Sequence, residues 1–336
     1  MLNLYKILFF LTLVMGTLIT ISSYSWFSMW MGLEINLLSM IPLMTNSKSS
    51  YPSESALKYF ITQALASSVV LFAIIMFLNF NESAPQDSSN LIMMILNSAL
   101  LTKLGAAPFH SWFPEVMEGL DWTNCLILLT WQKIAPMIMI MYNMNMTIFF
   151  SSIIIFSSLI SGILGLNQVS LRKIMAYSSI NHIGWMIAAM HSQSIWMIYF
   201  IVYTLISINI IVIFQQNKIY FIKQLHNVLN QSKTLKMLFM MNFLSLGGIP
   251  PFLGFLPKWL TVNSLVNLEF YMISFILIIL TLVTLFFYLR ITFSTLTLLS
   301  SEVIMTKIQV KTFWAFMINF LVLSGLAFCT LIFNYF

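Results

Sequence analysis

Four ionisable side chains sit inside long apolar runs of this chain. They are Lys103 in Thr102-Lys-Leu-Gly, Lys133 in Thr130-Trp-Gln-Lys-Ile-Ala-Pro, Lys258 in Phe255-Leu-Pro-Lys-Trp, and Glu34 in Trp30-Met-Gly-Leu-Glu-Ile-Asn. A charge at bilayer depth costs at least ~2.5–3.5 kcal/mol on insertion scales, so such groups usually pair or line a wet path. An amine taken out of water holds its proton less tightly, and could load and release one near neutrality. Glu34 is the one acid of the four and a natural partner for a lysine, although the residues leave open which one. A movement of Glu34 could then switch a lysine between holding and releasing its proton. Lys258 could instead reach out to a surface. His182, in Ser178-Ser-Ile-Asn-His-Ile-Gly-Trp, titrates near neutral pH and could bridge water chains, or serve only structurally. Together these residue types can do proton relay.

Two of the lysines stand beside matched Gly/Pro cassettes. Gly105-Ala-Ala-Pro-Phe-His-Ser-Trp-Phe-Pro-Glu115 and Gly248-Ile-Pro-Pro-Phe-Leu-Gly-Phe-Leu-Pro-Lys258 share one pattern at an offset of 143 residues. Proline lacks an N–H, so the carbonyl four residues before it loses its helical partner. Pro108 is expected to free the carbonyl of Leu104, Pro251 that of Gly247, Pro257 that of Leu253 and Pro136 that of Gln132. Unpaired backbone at membrane depth is tolerated only where protein or water satisfies it. Broken helices in repeated halves mark ion paths in transport folds.

The elements that must position these groups are membrane helices. The chain has 336 residues, 60% of them hydrophobic and only 7% charged, against about 25% charged in soluble domains. Its apolar runs are long and do not alternate as barrel strands do. The expected fold is all-α and polytopic. About eleven spans are predicted, near 4–23, 25–45, 57–79, 90–113, 124–142, 147–166, 174–190, 194–215, 237–266, 270–293 and 312–334. No composition shift divides them, so residues 1–336 are read as one domain. The 143-residue offset carries span 1 onto span 6 and span 5 onto span 10. It predicts two five-helix repeats of opposite topology, about 4–142 and 147–293, with an added helix at 312–334.

Of the 15 Lys and Arg, the twelve other than Lys103, Lys133 and Lys258 all fall on the side of the N-terminus, from Lys6 to Lys311. The other side carries only Glu82, Asp87 and Glu269. Positive loops stay on the side of synthesis, which puts the N-terminus inside and, after eleven spans, the C-terminus outside. The basic stretch Lys218 to Lys236 could meet anionic lipid headgroups. Glu115, Glu118 and Asp121 read as a solvated acidic loop. The apolar start, with no amphipathic leader, suggests synthesis inside an organelle. Cys125 and Cys329 form neither a CxxC nor a disulfide framework. There is no nucleotide-binding glycine motif and no cysteine cluster for an iron–sulfur centre, so the driving energy must come from an ion gradient or a partner.

The five signatures Trp30 to Asn36, Thr102 to Pro114, Thr130 to Pro136, Asn167 to Trp185 and Asn242 to Trp259 resemble those of the antiporter-like subunits of respiratory complex I. The resemblance runs along nearly the whole chain. It implies a proton-translocating membrane-arm subunit in the mitochondrial inner membrane, with the N-terminus in the matrix and the C-terminus in the intermembrane space. Glu34 matches the family's modulating glutamate. Lys103 matches the lysine of the first broken helix, Lys133 that of the next helix, Lys258 that of the second broken helix on the exit side, and His182 a polar position on the central hydrated axis. The chain itself would bind no cofactor. NADH, FMN, iron–sulfur clusters and ubiquinone are expected in partner subunits, so the chain is an enzyme only as part of that assembly. Its partners would be the neighbouring antiporter-like chain, small helical subunits and lipids such as cardiolipin, with no nucleic acid. The chain ends at Phe336 without the long lateral helix of its sister subunits. A stand-alone cation/proton antiporter and a non-pumping scaffold remain alternative readings.

Overall fold

A computed structural model describes residues 4–45, 50–80, 86–144, 146–229, 233–250, 252–297 and 320. Among these the chain is almost wholly helical, with one isolated bridge between Ser170 and Phe221. It divides into two compact units, Met1–Ile153 and Ile154–Phe336.

The first unit holds α1 (Leu4–Ser22), α2 (Trp26–Met44), α3 (Ser50–Phe80), α4 (Gln86–Leu104), α5 (Trp112–Gly119), α6 (Trp122–Leu129) and α7 (Trp131–Met141). Ser25 starts α2 by accepting a hydrogen bond from the Ser28 backbone N–H, satisfying one of the donors a helix start leaves unpaired. α1 and α2 are neighbours in sequence and in space. Their backbones approach at Gly16 and Gly32, where a Cβ on Gly32 would lie 2.8 Å from the Gly16 carbonyl oxygen. Small residues allow such approach between membrane helices. α4 packs on α3 and α7.

α8 (Thr147–Leu166) opens the second set, followed by α9 (Leu171–Ala189), α10 (Gln193–Asn217), α11 (Ile222–Leu229), α12 (Lys233–Gly247), α13 (Phe255–Asn267) and α14 (Tyr271–Thr297). α9 is the centre of the second unit. Nearly all its residues are buried, its polar Ser178, Ser179, Asn181 and His182 included, and it packs on α10, α13 and α14. Arg290 of α14 donates to the carbonyls of Leu166, at the end of α8, and Gln168, just beyond it.

Seven helices among the described residues are long and apolar enough to cross a membrane: Leu4–Ser22, Trp26–Met44, Ser50–Asn79, Trp122–Met141, Thr147–Leu166, Gln193–Asn217 and Tyr271–Phe293. The expected segments 90–113 and 237–266 are each divided by a cassette. The expected span 174–190 is α9, whose polarity holds it below that threshold. The segment 312–334 lies outside the described residues. The segment 124–142, expected as one helix, is interrupted at Thr130 (φ −115°, ψ −71°), six residues before Pro136. The Leu126 carbonyl accepts from both the Thr130 N–H at 3.0 Å and the Thr130 hydroxyl at 2.7 Å, the hydroxyl-to-carbonyl bonding that often bends helices.

Candidate functional site

The two cassettes end their helices in the same way, bond for bond. Gly105 has φ +74° and Gly248 φ +79°, the left-handed conformation that glycine reaches at little cost. In the first, the N–H of Gly105 donates to Thr102 and that of Ala106 to Leu101, both at 3.1 Å. In the second, Gly248 donates to Ser245 at 3.0 Å and Ile249 to Leu244 at 3.4 Å. The offset between matching atoms is 143 residues throughout. This is the Schellman type of termination, in which the residues after the helix turn back to its last carbonyls. The break at Gly105 is therefore set by the glycine. Pro108 lies outside α4 altogether, which corrects the expectation that its missing N–H opens the helix. The carbonyl of Leu253, expected to be freed by Pro257, accepts from the Leu256 N–H at 3.2 Å. Pro251 lies outside the described residues.

The remaining carbonyls of each helix end collect other donors. In the first unit, the Trp112 indole donates to Thr102 at 2.9 Å and the Gln63 amide to Lys103 at 3.2 Å. In the second, the Lys258 ammonium donates to the Gly247 carbonyl at 2.7 Å. The C-terminal end of a helix carries partial negative charge and suits a cation. Lys103 occupies the last turn of α4. Lys258 reaches back from α13 to the last carbonyl of α12.

Lys103 is 7%, Lys133 1% and Lys258 8% exposed, so none of the three extends to a surface. The ion pairs within 4.0 Å among the described residues are those of Lys58 with Glu54 and Glu115; Glu34 is in none of them. Glu115 is thus half of a surface pair. A small void is lined by Leu33, Asn36, Tyr59, Gln63, Lys103 and Gln132, with Leu37 and Pro136. The Gln132 amide donates to Asn36 Oδ1 at 2.8 Å, tying α2 to α7 next to Lys133. The void is lined by polar groups of the kind that hold a buried water.

In the second unit, His182 is 4% exposed and its Nδ1 lies 2.9 Å from the Tyr199 hydroxyl. Its ring also faces Tyr203, with centroids 5.0 Å apart. One turn along α9, the Trp185 ring faces the Lys258 ammonium at 5.7 Å. His182, Tyr199 and Tyr203 line a second void with Ser245, Gly254 and Pro257, so His182 and the residue before Lys258 meet at one cavity. The Asn181 amide donates to Thr284 at 3.3 Å. Sequence reasoning passed over Asn36, Gln63, Gln132, Tyr199 and Tyr203. They are uncharged polar groups inside apolar runs, and nothing in their spacing names their partners.

The family model described as NADH:quinone oxidoreductase/Mrp antiporter, TM, matches residues 23–284. NADH-ubiquinone oxidoreductase chain 2 of Anopheles gambiae is 54% identical over 291 residues, which is 85% of this chain and 84% of that one. A chain of the structure titled respiratory complex I from Thermus thermophilus with bound aureothin superposes with a TM-score of 0.85 at 23% identity, covering 95% of this chain and 77% of the other. A chain of the Mrp complex from Dietzia sp. DQ12-45-1b superposes with a TM-score of 0.76 at 14% identity, covering 96% and 75%. With its match to the family model and the identity to a chain 2 protein over most of both lengths, the chain belongs to the NADH:quinone oxidoreductase/Mrp antiporter transmembrane family, in its NADH-ubiquinone oxidoreductase chain 2 branch.

Proposed function

We propose that this chain is a proton-translocating subunit in the membrane arm of mitochondrial respiratory complex I. The observation that carries the reading is the burial of Lys103, Lys133 and Lys258 inside apolar helical units. A charge is placed there only at a cost, and it usually marks an ion or proton path. Lys103 takes a proton from the side of the N-terminus, read as the matrix, and holds it against the negative end of α4. Glu34 governs its release through their mutual field. Water beside Asn36, Gln63 and Gln132 carries the proton on to Lys133. Lys258 delivers it to the opposite side, with His182 and Tyr199 as polar relay groups. NADH oxidation and ubiquinone reduction belong to partner subunits, and this chain is coupled to them through the neighbouring antiporter-like and small helical subunits. Membrane lipids such as cardiolipin complete its surroundings. The two halves of the chain act as repeats of opposite topology.

Replacing Lys103 with Met should lower the number of protons moved per electron passed from NADH. A normal ratio in a fully assembled Lys103→Met complex refutes the role. Likeness to an Mrp chain favours one rival, an antiporter working without an NADH enzyme. Native electrophoresis separates the two, because the proposed subunit comigrates with a large NADH-oxidising assembly and a stand-alone antiporter does not.

A further inference from the structure

Among the described residues, no carboxylate lies within ion-pair distance of the Lys258 ammonium in its berth. Its Nζ donates to the Gly247 carbonyl at 2.7 Å and faces the Trp185 ring at 5.7 Å. Between α12 and α13 the lysine stem crosses directly over Gly248. A Cβ built on Gly248 would lie 2.8 Å from Lys258 Cδ and 3.0 Å from its Nζ. Real Cβ atoms do not approach so closely, so a side chain at 248 would require the end of the docked lysine to move from its place. The matched glycine of the first unit serves another end. A Cβ on Gly105 would meet the Phe113 ring at 3.1–3.3 Å, with no lysine among its three nearest atoms. Both glycines have a positive φ, so helix termination alone accounts for Gly105. Gly248 carries a second constraint that termination does not explain.

The far side of the berth is closed just as tightly. Gly254, four residues before Lys258, has its Cα against the Ser245 carbonyl, and a Cβ there would overlap that carbonyl. This contact holds the start of α13 against the last turn of α12. Lys258, on the first turn of α13, is thereby aimed at the terminal carbonyl. A helix end and an aromatic face each favour a cation. A carbonyl cannot take a proton in exchange, so it holds a protonated amine without neutralising it. A neutral amine would keep the same geometry with a weaker bond.

We propose that Gly248 is a positioning residue for Lys258: its missing side chain opens the place where the ammonium docks on the Gly247 carbonyl at the end of α12. This rests on the reading of Lys258 as a proton-bearing group. Displaced by a Cβ, the amine would leave the helix end and lose its register with the next carrier.

The test uses the assembled complex. Gly248→Ala should slow NADH-driven proton translocation about tenfold or more, since misplacement on the order of 1 Å can cost ~100-fold in rate. In a Lys258→Ala background the same glycine change should alter translocation no further. Unimpaired pumping in Gly248→Ala, or full additivity of the two changes, overturns the assignment. If Gly248→Ala alone blocks assembly, Lys258→Ala is added to it. Restored assembly places the collision at the lysine, and continued failure shows that backbone strain was the whole effect and overturns the assignment. Lys258→Met decides the underlying reading separately. Normal pumping there sinks the role of Lys258 itself, whereas impaired pumping with an unimpaired Gly248→Ala sinks only the positioning role.

Discussion

The Gln132 amide donates to Asn36 Oδ1 at 2.8 Å across two helices that hold Glu34 and Lys133. Truncating Gln132 to Leu leaves that buried acceptor without its protein partner. An orphaned buried polar group costs about 1–3 kcal/mol, whereas replacing both partners by apolar groups can be nearly neutral. Gln132→Leu is therefore expected to lower the thermal stability of the detergent-solubilised complex more than Gln132→Leu combined with Asn36→Leu. Additive losses in that double-mutant cycle would show that the bond does not matter. The same logic explains which residues were legible in the sequence. Lys103, Lys133, Lys258 and Glu34 stood out because an ionised group in oil is expensive enough to need a reason. Asn36, Gln63 and Gln132 were not legible, because an amide can be satisfied by any nearby carbonyl and sequence spacing does not name the partner. Sequence spacing likewise names no partner for Glu34, since Glu34 lies on α2 and Lys103 on α4.

Helix breaks were legible in place but not in cause. The cassettes pointed to interruptions near 105 and 248, where the chain turns. Their prolines suggested missing N–H groups, yet the turn is made by glycines at φ +74° and +79°. Proline advertises itself in a sequence, while a left-handed glycine looks like any other glycine. The interruption at Thr130 was missed because a threonine inside an apolar run carries no stop signal of its own. Glycine also sets how closely elements approach. Gly32 meets α1 so tightly that its Cβ would sit 2.8 Å from the Gly16 carbonyl and 2.9 Å from the Thr20 nitrogen. Backbone cannot swing aside as a flexible side chain can. Gly32→Leu should force α1 from α2, at a cost on the order of 1–3 kcal/mol or above for an overpacked contact. Assembly on a native gel should fall steeply in Gly32→Leu and partly in Gly32→Ala. Full assembly of the leucine variant would mean that the pairing of α1 and α2 is dispensable.

At the scale of the whole molecule, α9 decides the topology. It is too polar to count as a crossing helix by apolarity alone, and a reading based on hydropathy would leave it out. Its burial removes the objection, because the surfaces that would meet lipid are covered by α10, α13 and α14. A helix enclosed by neighbours can carry Asn181 and His182 across a bilayer when those groups find partners, as Asn181 does at Thr284. If α9 crosses, three passes separate Lys173 from Glu269: α9, α10, and α12 with α13 together. An odd number puts the two residues on opposite faces, and the proposed orientation, drawn from the bias of Lys and Arg, would put Lys173 on the matrix face. Cysteine introduced at Glu269 is then expected to react with a membrane-impermeant thiol reagent in mitochondria stripped of their outer membrane. Cysteine at Lys173 should react only after the inner membrane is permeabilised. The parent chain serves as the background control, and its Cys125 is buried. Reaction at both sites without permeabilisation would make the number of passes even and remove α9 from the membrane. The reverse pattern would keep α9 but turn the chain over, and the proposed entry of protons at the end nearest Lys103 would then have to be read as an exit.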